Sequence, residues 1–294
     1  MRSVNPSLAA LVAVLALALA CGGSQPAERE VETPQRIIAL APSAAEILHV
    51  LGLSDRVVGV GDYVTWPPEL TRKKRLGGLF NPDFESIVAL RPDLAILLAS
   101  EESLSGRLED VGIEVLVVPS ETLGDIEMAV ESIAARCGVE QRGDEFLRQW
   151  RLRLQPDPLD EPLRVALVVG REPQRLGDMV VAGPGTFFDQ LLSRLGASNA
   201  FYDSETRYPQ VGLEEIIRRR PDAVLEVQPL EIPQSRVEAL LRDWSQLGAM
   251  TAEAPCVEIV AGQHVLVPGP RLPQVLSQLR EALAVCVPPT AAAE

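Results

Sequence analysis

The sequence predicts an α/β protein of two lobes, each with a mainly parallel sheet flanked by helices, bridged by one long helix. Three observations carry this. Short apolar strands alternate with helical segments from Arg36 to Val118 and again from Arg164 onward, the pattern of parallel strands joined by crossover helices. A charged helical stretch with no strand inside it separates the two runs. A segment of the first half also recurs in the second, since residues 81–94 align without a gap on residues 210–223. In both copies a glutamate, Glu85 or Glu214, opens a short helix. Isoleucine follows two places later, and Arg-Pro-Asp then breaks the helix before an apolar strand. Proline removes a helical donor, which gives each helix a definite end.

The chain begins with Arg2 and an apolar run from Leu8 to Ala20 that stops at Cys21-Gly22-Gly23, so residues 1–20 read as an export signal. The run falls short of the roughly 20 apolar residues a spanning helix needs, and no basic stop-transfer cluster follows it. Residues 21–35 are rich in Gly, Ser, Glu and Pro and form a tether that, as flexible coil, spans roughly 20 Å. Removing the signal leaves about 270 residues, enough for two domains of roughly 110 to 130 residues.

The N-terminal lobe, 36–136, opens with a strand over 36–41. Ser43 and Glu46 then form a capping box for a helix through Leu51 that ends at Gly52. Strands at 56–60, 94–99 and 114–118 alternate with helices at 85–90, 104–111 and 125–136. The bridging segment, 137–160, holds a charged helix from Gln141 to Gln155 that ends before Pro156-Asp157-Pro158. In the C-terminal lobe, 161–286, strands at 164–169 and 180–182 precede a helix from Thr186 to Leu195, and a helix from Leu272 to Ala284 closes the lobe. Residues 287–294 read as a disordered Pro/Ala tail.

Composition removes several functions. The formal net charge is −14 and lysine occurs only at Lys73 and Lys74, so there is no basic stripe for nucleic acid. Two histidines, with no CxxC and no HExxH, leave no structural zinc site or zincin. No Gly-x-Ser-x-Gly elbow or phosphate loop occurs, and Gly59-Val60-Gly61 lacks the third glycine of a dinucleotide fingerprint. The chain therefore reads as a non-enzyme with no permanently bound cofactor. Export favours disulfide formation, and Cys256 with Cys286 is the expected pair because both lie in the second half. Cys137 is expected as a buried free thiol.

Aromatic residues make up only 4% of the chain, so their placement is informative. Tyr63, Trp66, Phe80, Tyr208 and His264 fall on Pro/Gly-rich loops, and ligands of open α/β sheets bind at such loops. Rigid aromatic area suits a flat macrocycle. Phe187, Phe188, Trp150 and Trp244 lie in helical segments and are expected to pack, and His49 is expected to be structural.

Several of these segments together carry a resemblance. They are Arg36-Ile37-Ile38-Ala39-Leu40-Ala41-Pro42-Ser43 with Glu46, Val58-Gly59-Val60 followed by Tyr63 and Pro67-Pro68, the two Arg-Pro-Asp helices, and Tyr208-Pro209-Gln210-Val211. Over residues 35–285 the chain resembles the helical-backbone class of ABC-importer binding proteins for cobalamin, haem and ferric siderophores, most of all the cobalamin branch. That resemblance implies a metal-chelate ligand held between the lobes. It implies an ABC permease dimer with its ATPase as partner, docked through Glu85 and Glu214, although a glutamate in a helix's first turn also opposes the helix dipole. Arg271 matches a family arginine near the cleft rim. Tryptophans common in cobalamin binders are replaced here at Leu79, Tyr208 and His264. Ala18-Leu19-Ala20-Cys21 resembles a lipobox, implying lipidation at Cys21 and a membrane-anchored, extracytoplasmic protein. The alternatives are a haem or ferric siderophore binder, an exported scaffold without transport, and a chelatase-like enzyme of related architecture.

Overall fold

The computed structural model describes residues 32–79, 81–172, 174–250 and 254–287. The export segment, Cys21, most of the tether, Phe80 and residues 288–294 lie outside the described residues. The first lobe runs β1 (Ile37–Ala39), α1 (Pro42–Val50), β2 (Val57–Val60), α2 (Pro68–Thr71), β3 (Lys74–Arg75), α3 (Phe84–Ala89), β4 (Leu94–Leu98), α4 (Glu102–Glu109) and β5 (Glu114–Val118). Its strands lie in the order β3-β2-β1-β4-β5, all parallel. Helices α5 (Leu123–Arg136) and α6 (Glu140–Arg153) follow and pack on each other. The second lobe runs β6 (Arg164–Gly170), β7 (Met179–Val181), α7 (Phe187–Arg194), β8 (Ser198–Asn199), β9 (Gln210–Val211), α8 (Leu213–Arg219), β10 (Ala223–Gln228), α9 (Gln234–Met250), β11 (Cys256–Ala261) and α10 (Leu272–Cys286). Its sheet has the order β11-β10-β6-β7-β9, parallel except for β7, with β8 pairing β6.

Period-two alternation sends each strand's side chains to opposite faces. Ile37 and Ala39 join one core, while Ile38 and Leu40 join another beneath α3 and α4. In the second lobe Val165 and Leu167 face the first of these cores, and Ala166 and Val168 face a third that contains Trp244. The inner faces of the two sheets thus share one continuous core with α5, α6, α7 and α10, running from Ile37 through Trp150 to Leu283. Phe187 and Phe188 lie within it, ring centroids 4.2 Å apart.

The capping box expected at Ser43 and Glu46 does not form. Pro42 occupies the first turn, the cap falls on Ala41 without a side-chain bond, and both Ser43 and Glu46 are buried. A Ser-x-x-Glu pattern beside a proline had the right letters two positions too late. A capping box does open α5, where Thr122 Oγ1 accepts from the Asp125 amide and Asp125 Oδ2 accepts from the Thr122 amide, each at 3.0 Å.

The repeated Arg-Pro-Asp has the same job in both lobes. Arg91 and Arg220 take left-handed φ values of 48° and 46°, turning the chain out of α3 and α8. The aspartate then clamps the start of the lobe's first strand. Asp93 accepts from the amide of Arg36 at 2.9 Å, and Asp222 accepts from the amide of Arg164 at 2.7 Å. In return, Arg36 donates to the carbonyls of Leu90 and Arg91, and Arg164 to that of Arg219, satisfying helix-end acceptors. Helix, turn and strand are locked as one unit. Cys256 and Cys286 are disulfide-bonded, with Cα atoms 5.5 Å apart, joining the start of β11 to the end of α10. Cys137 is a buried free thiol whose pKa burial pushes up to about 11.

Asp93→Ala and Asp222→Ala should each lower stability by about 1–2 kcal/mol, because each removes a charge-assisted bond to backbone. Urea unfolding measures this. A loss below about 0.5 kcal/mol would mean that the sheet ladder alone holds the strand.

Candidate functional site: the mouth between the lobes

The carboxyl ends of the strands in both lobes deliver loops to the region between them, where open α/β sheets bind ligands. The chain leaves β1 directly into α1, and the loop after β11 leads to Arg271 and α10. Between these two points lies a buried ion pair across the lobes. Arg271 donates to Glu46 through Nε at 3.1 Å and Nη2 at 2.5 Å. Glu46 is 1% exposed and Arg271 13%. The guanidinium also lies over the Trp66 ring, its carbon 4.8 Å from the centroid. Trp66 in turn meets His49 edge-on at 4.8 Å, and His49 Nδ1 is 2.8 Å from Glu69.

Burial raises the Glu46 pKa from its ordinary 4.5, against the lowering effect of the Arg271 hydrogen bonds and charge. The sequence reading had placed Glu46 at a cap. The overlooked signal is a carboxylate in an otherwise apolar helix, which must find a cation or keep its proton.

The predicted ligand residues are not one contiguous set. Trp66 and Arg271 stand together. Tyr63 is 63% exposed on the loop after β2, and Tyr208 is 38% exposed on the loop before β9. The Tyr208 pKa is raised to about 12 by burial of its hydroxyl and by nearby Glu121, so the hydroxyl keeps its proton and can donate. Glu121 belongs to the first lobe, and its carbonyl accepts from the amide of Phe187 at 2.8 Å, making a second seam between the lobes. His264 is half-buried near Gln278 of α10 and Arg271, and its Nε2 is shut off from solvent. Burial, then the charge of Arg271, lowers its pKa, so the ring is neutral at pH 7. No group of three or more metal-ligating side chains occurs among the described residues.

Glu85 and Glu214 occupy the first turns of α3 and α8. Both are exposed, and neither makes an ion pair with a described residue. Glu215, beside Glu214, is instead held by Arg218 and Arg219.

Residues 37–242 match the family described as periplasmic binding protein. The chain belongs to the periplasmic binding protein family. Among curated members, an uncharacterized ABC transporter substrate-binding lipoprotein, YvrC, of Bacillus subtilis is 30% identical over 265 residues, covering 85% of this chain and 80% of that protein. The vitamin B12-binding protein of Pectobacterium atrosepticum is 28% identical over 205 residues, covering 65% of this chain and 71% of its own. Among solved structures, a periplasmic haem binding protein from Pseudomonas aeruginosa superposes with a TM-score of 0.71 at 27% identity, covering 88% of this chain and 95% of that one. The vitamin B12 binding protein of Vibrio cholerae shares the fold, with a TM-score of 0.65 at 23% identity, covering 86% and 98%. The two-lobed architecture expected from the repeat is thus the family's own.

The Glu46–Arg271 pair gives this site a pH signature. The native carboxyl holds its proton to higher pH than the unfolded one, so above the ordinary 4.5 the native state binds more protons. Stability therefore falls as pH rises through that window, and the loss is complete once Glu46 ionises in the native state. Other carboxylates have their own slopes, so the measurement is the difference between wild type and Glu46→Gln. That difference should move against wild type as pH rises above 4.5 in urea unfolding. A difference independent of pH would show an unshifted carboxyl.

Proposed function

We propose that the protein is a lipid-anchored substrate-binding protein of an ABC importer that captures a corrinoid between its lobes and delivers it to the permease. The observation that carries the ligand reading is an exposed tyrosine on a loop of each lobe, Tyr63 and Tyr208, outside all three cores. Large exposed aromatics mark a contact surface, and flat rings complement a planar macrocycle. Trp66 and Arg271 add a rigid pair, since the arginine is held by Glu46 and by the indole at once. Likeness to vitamin B12-binding proteins supports the corrinoid; haem, which a binding protein of the same fold takes, and a ferric siderophore are the alternatives. The lipid anchor rests on Cys21 and on the likeness to a substrate-binding lipoprotein.

Titration of the purified protein with cobalamin, cobinamide, haemin and a set of ferric siderophores tests the ligand. A corrinoid should bind tightest, and Tyr63→Ala with Tyr208→Ala should weaken it by roughly thirtyfold, the loss of about 2 kcal/mol. Tighter binding of haemin or a ferric siderophore would replace the corrinoid.

Delivery rests on Glu85 and Glu214. Two exposed carboxylates at equivalent points of two lobes, neither in an ion pair with a described residue, match a permease dimer that offers one cation to each. Interface charges steer and register association. Glu85→Arg combined with Glu214→Arg should abolish uptake and complex formation while ligand affinity and melting temperature stay near wild type. Normal uptake with a lowered melting temperature would leave both as residues opposing a helix dipole.

A further inference from the structure

Backbone hydrogen bonds stitch three segments together at the mouth. The loop after β5 meets the turn before α7 where the Glu121 carbonyl accepts from Phe187 at 2.8 Å. That turn is tied in its place to the segment before β9, since Gly183 donates to the Arg207 carbonyl at 2.7 Å and Val181 donates to that of Pro209 at 3.1 Å. Glycine at 183 permits the approach, because a Cβ there would stand 2.7 Å from the Thr206 carbonyl oxygen. The Arg207 side chain then lies over Gly185, with its Nε 3.8 Å from where a Cβ at that position would be. An acid of the first lobe, Glu121, and a base of the second, Arg207, are thereby gathered close to Tyr208.

Neither charge is used elsewhere. Glu121 and Arg207 make no ion pair with each other or with any described residue. Arg207 is exposed; Glu121 is half-buried, and its carboxylate oxygens keep contact with solvent. Both charges reach the Tyr208 hydroxyl. Burial is the main cause of its raised pKa, the Glu121 charge adds to the rise, and the Arg207 charge opposes it. One ring with an open acceptor and an open donor nearby therefore faces whatever enters the mouth.

A carboxylate only accepts hydrogen bonds, and a guanidinium only donates them. The group that satisfies both at once carries a donor and an acceptor on one planar unit, as a primary carboxamide does. A carboxylate on the ligand would answer Arg207 but meet Glu121 with like charge, and an ammonium would do the reverse. We propose that Glu121 and Arg207 form a specificity subsite for a primary carboxamide on the rim of the ligand, its NH₂ donating to Glu121 and its carbonyl accepting from Arg207. This rests on the corrinoid reading and names what the protein reads on that ligand. Corrinoid side chains end in primary amides, whereas those of haem end in carboxylates, so the subsite separates two flat macrocycles that an aromatic surface alone would accept equally.

The test uses cobalamin and the set of its monocarboxylates, each with one side-chain amide hydrolysed to the acid, titrated calorimetrically into the purified protein. One isomer should bind wild type at least about tenfold more weakly than cobalamin, and the others should stay within about threefold. In Glu121→Gln, whose amide can donate to that carboxylate, the gap should close to within about threefold. Glu109→Gln changes the net charge equally at the end of α4 away from the mouth, and it should leave the gap unchanged. Arg207→Gln should weaken cobalamin itself by about tenfold. Tight binding of cobalamin with no discrimination among the monocarboxylates would overturn the subsite and leave the corrinoid reading standing, as would a gap that persists in Glu121→Gln or closes in Glu109→Gln. Binding of haemin without binding of cobalamin would overturn both.

Discussion

The arrangement of the two lobes depends on one arginine. Arg271 lies against Glu46 on one side and Trp66 on another, and both of those residues belong to the opposite lobe. A guanidinium suits the position because it is planar, stays charged, and can stack on an indole while its edge meets a carboxylate. The pair is nearly dry, so its Coulombic attraction is offset by desolvation, and its net contribution to stability is small. Its effect is on geometry. A buried carboxylate and a buried guanidinium each tolerate few alternative partners, so the first helix of one lobe and the last helix of the other are held in one register.

Apolar packing completes what the ion pair registers. The inner faces of both sheets share a single core through α5, α6, α7 and α10, and the Glu121–Phe187 backbone bond closes a second seam. Domains that touch through a small polar interface move freely, whereas a large apolar interface holds them. Here the apolar interface is the core itself. Opening the lobes widely would expose side chains such as Phe188, Leu147 and Leu279 to water, so the core opposes a wide separation.

Much of this was legible in the sequence because it is periodic or local. The alternation that gave β4 and β5 is plain in their apolar runs, and the Arg-Pro-Asp repeat revealed two lobes before any coordinate. The repeat also concealed something, since its aspartates act at a distance of 57 and 58 residues on the opening strands, a contact that local pattern cannot show. Residues 229–271 went largely unassigned. There β11 has a half-buried pattern with Glu258 in its middle, and α9 mixes charge with its apolar face. The 225-residue separation of Glu46 from Arg271 lies beyond any motif, and the pull of a familiar cap sequence misdirected Glu46. Tyr63 and Tyr208 stood out as candidates because aromatics on glycine- and proline-rich loops are unusual, and both are exposed. His264 was placed on the same ground, and it is half-buried beside Gln278 of α10.

The bond between Cys256 and Cys286 encloses the whole loop from which Arg271 projects. Cross-linking across a separation of 30 residues removes chain entropy from the unfolded state equivalent to about 3–4 kcal/mol at 25 °C. The arginine that sets the lobe register is thus carried on a covalent ring, one side a strand of the sheet and the other the last helix. Tension applied at the mouth is shared around that ring instead of passing along a free end, so the last helix cannot peel from the sheet while the bridge is closed.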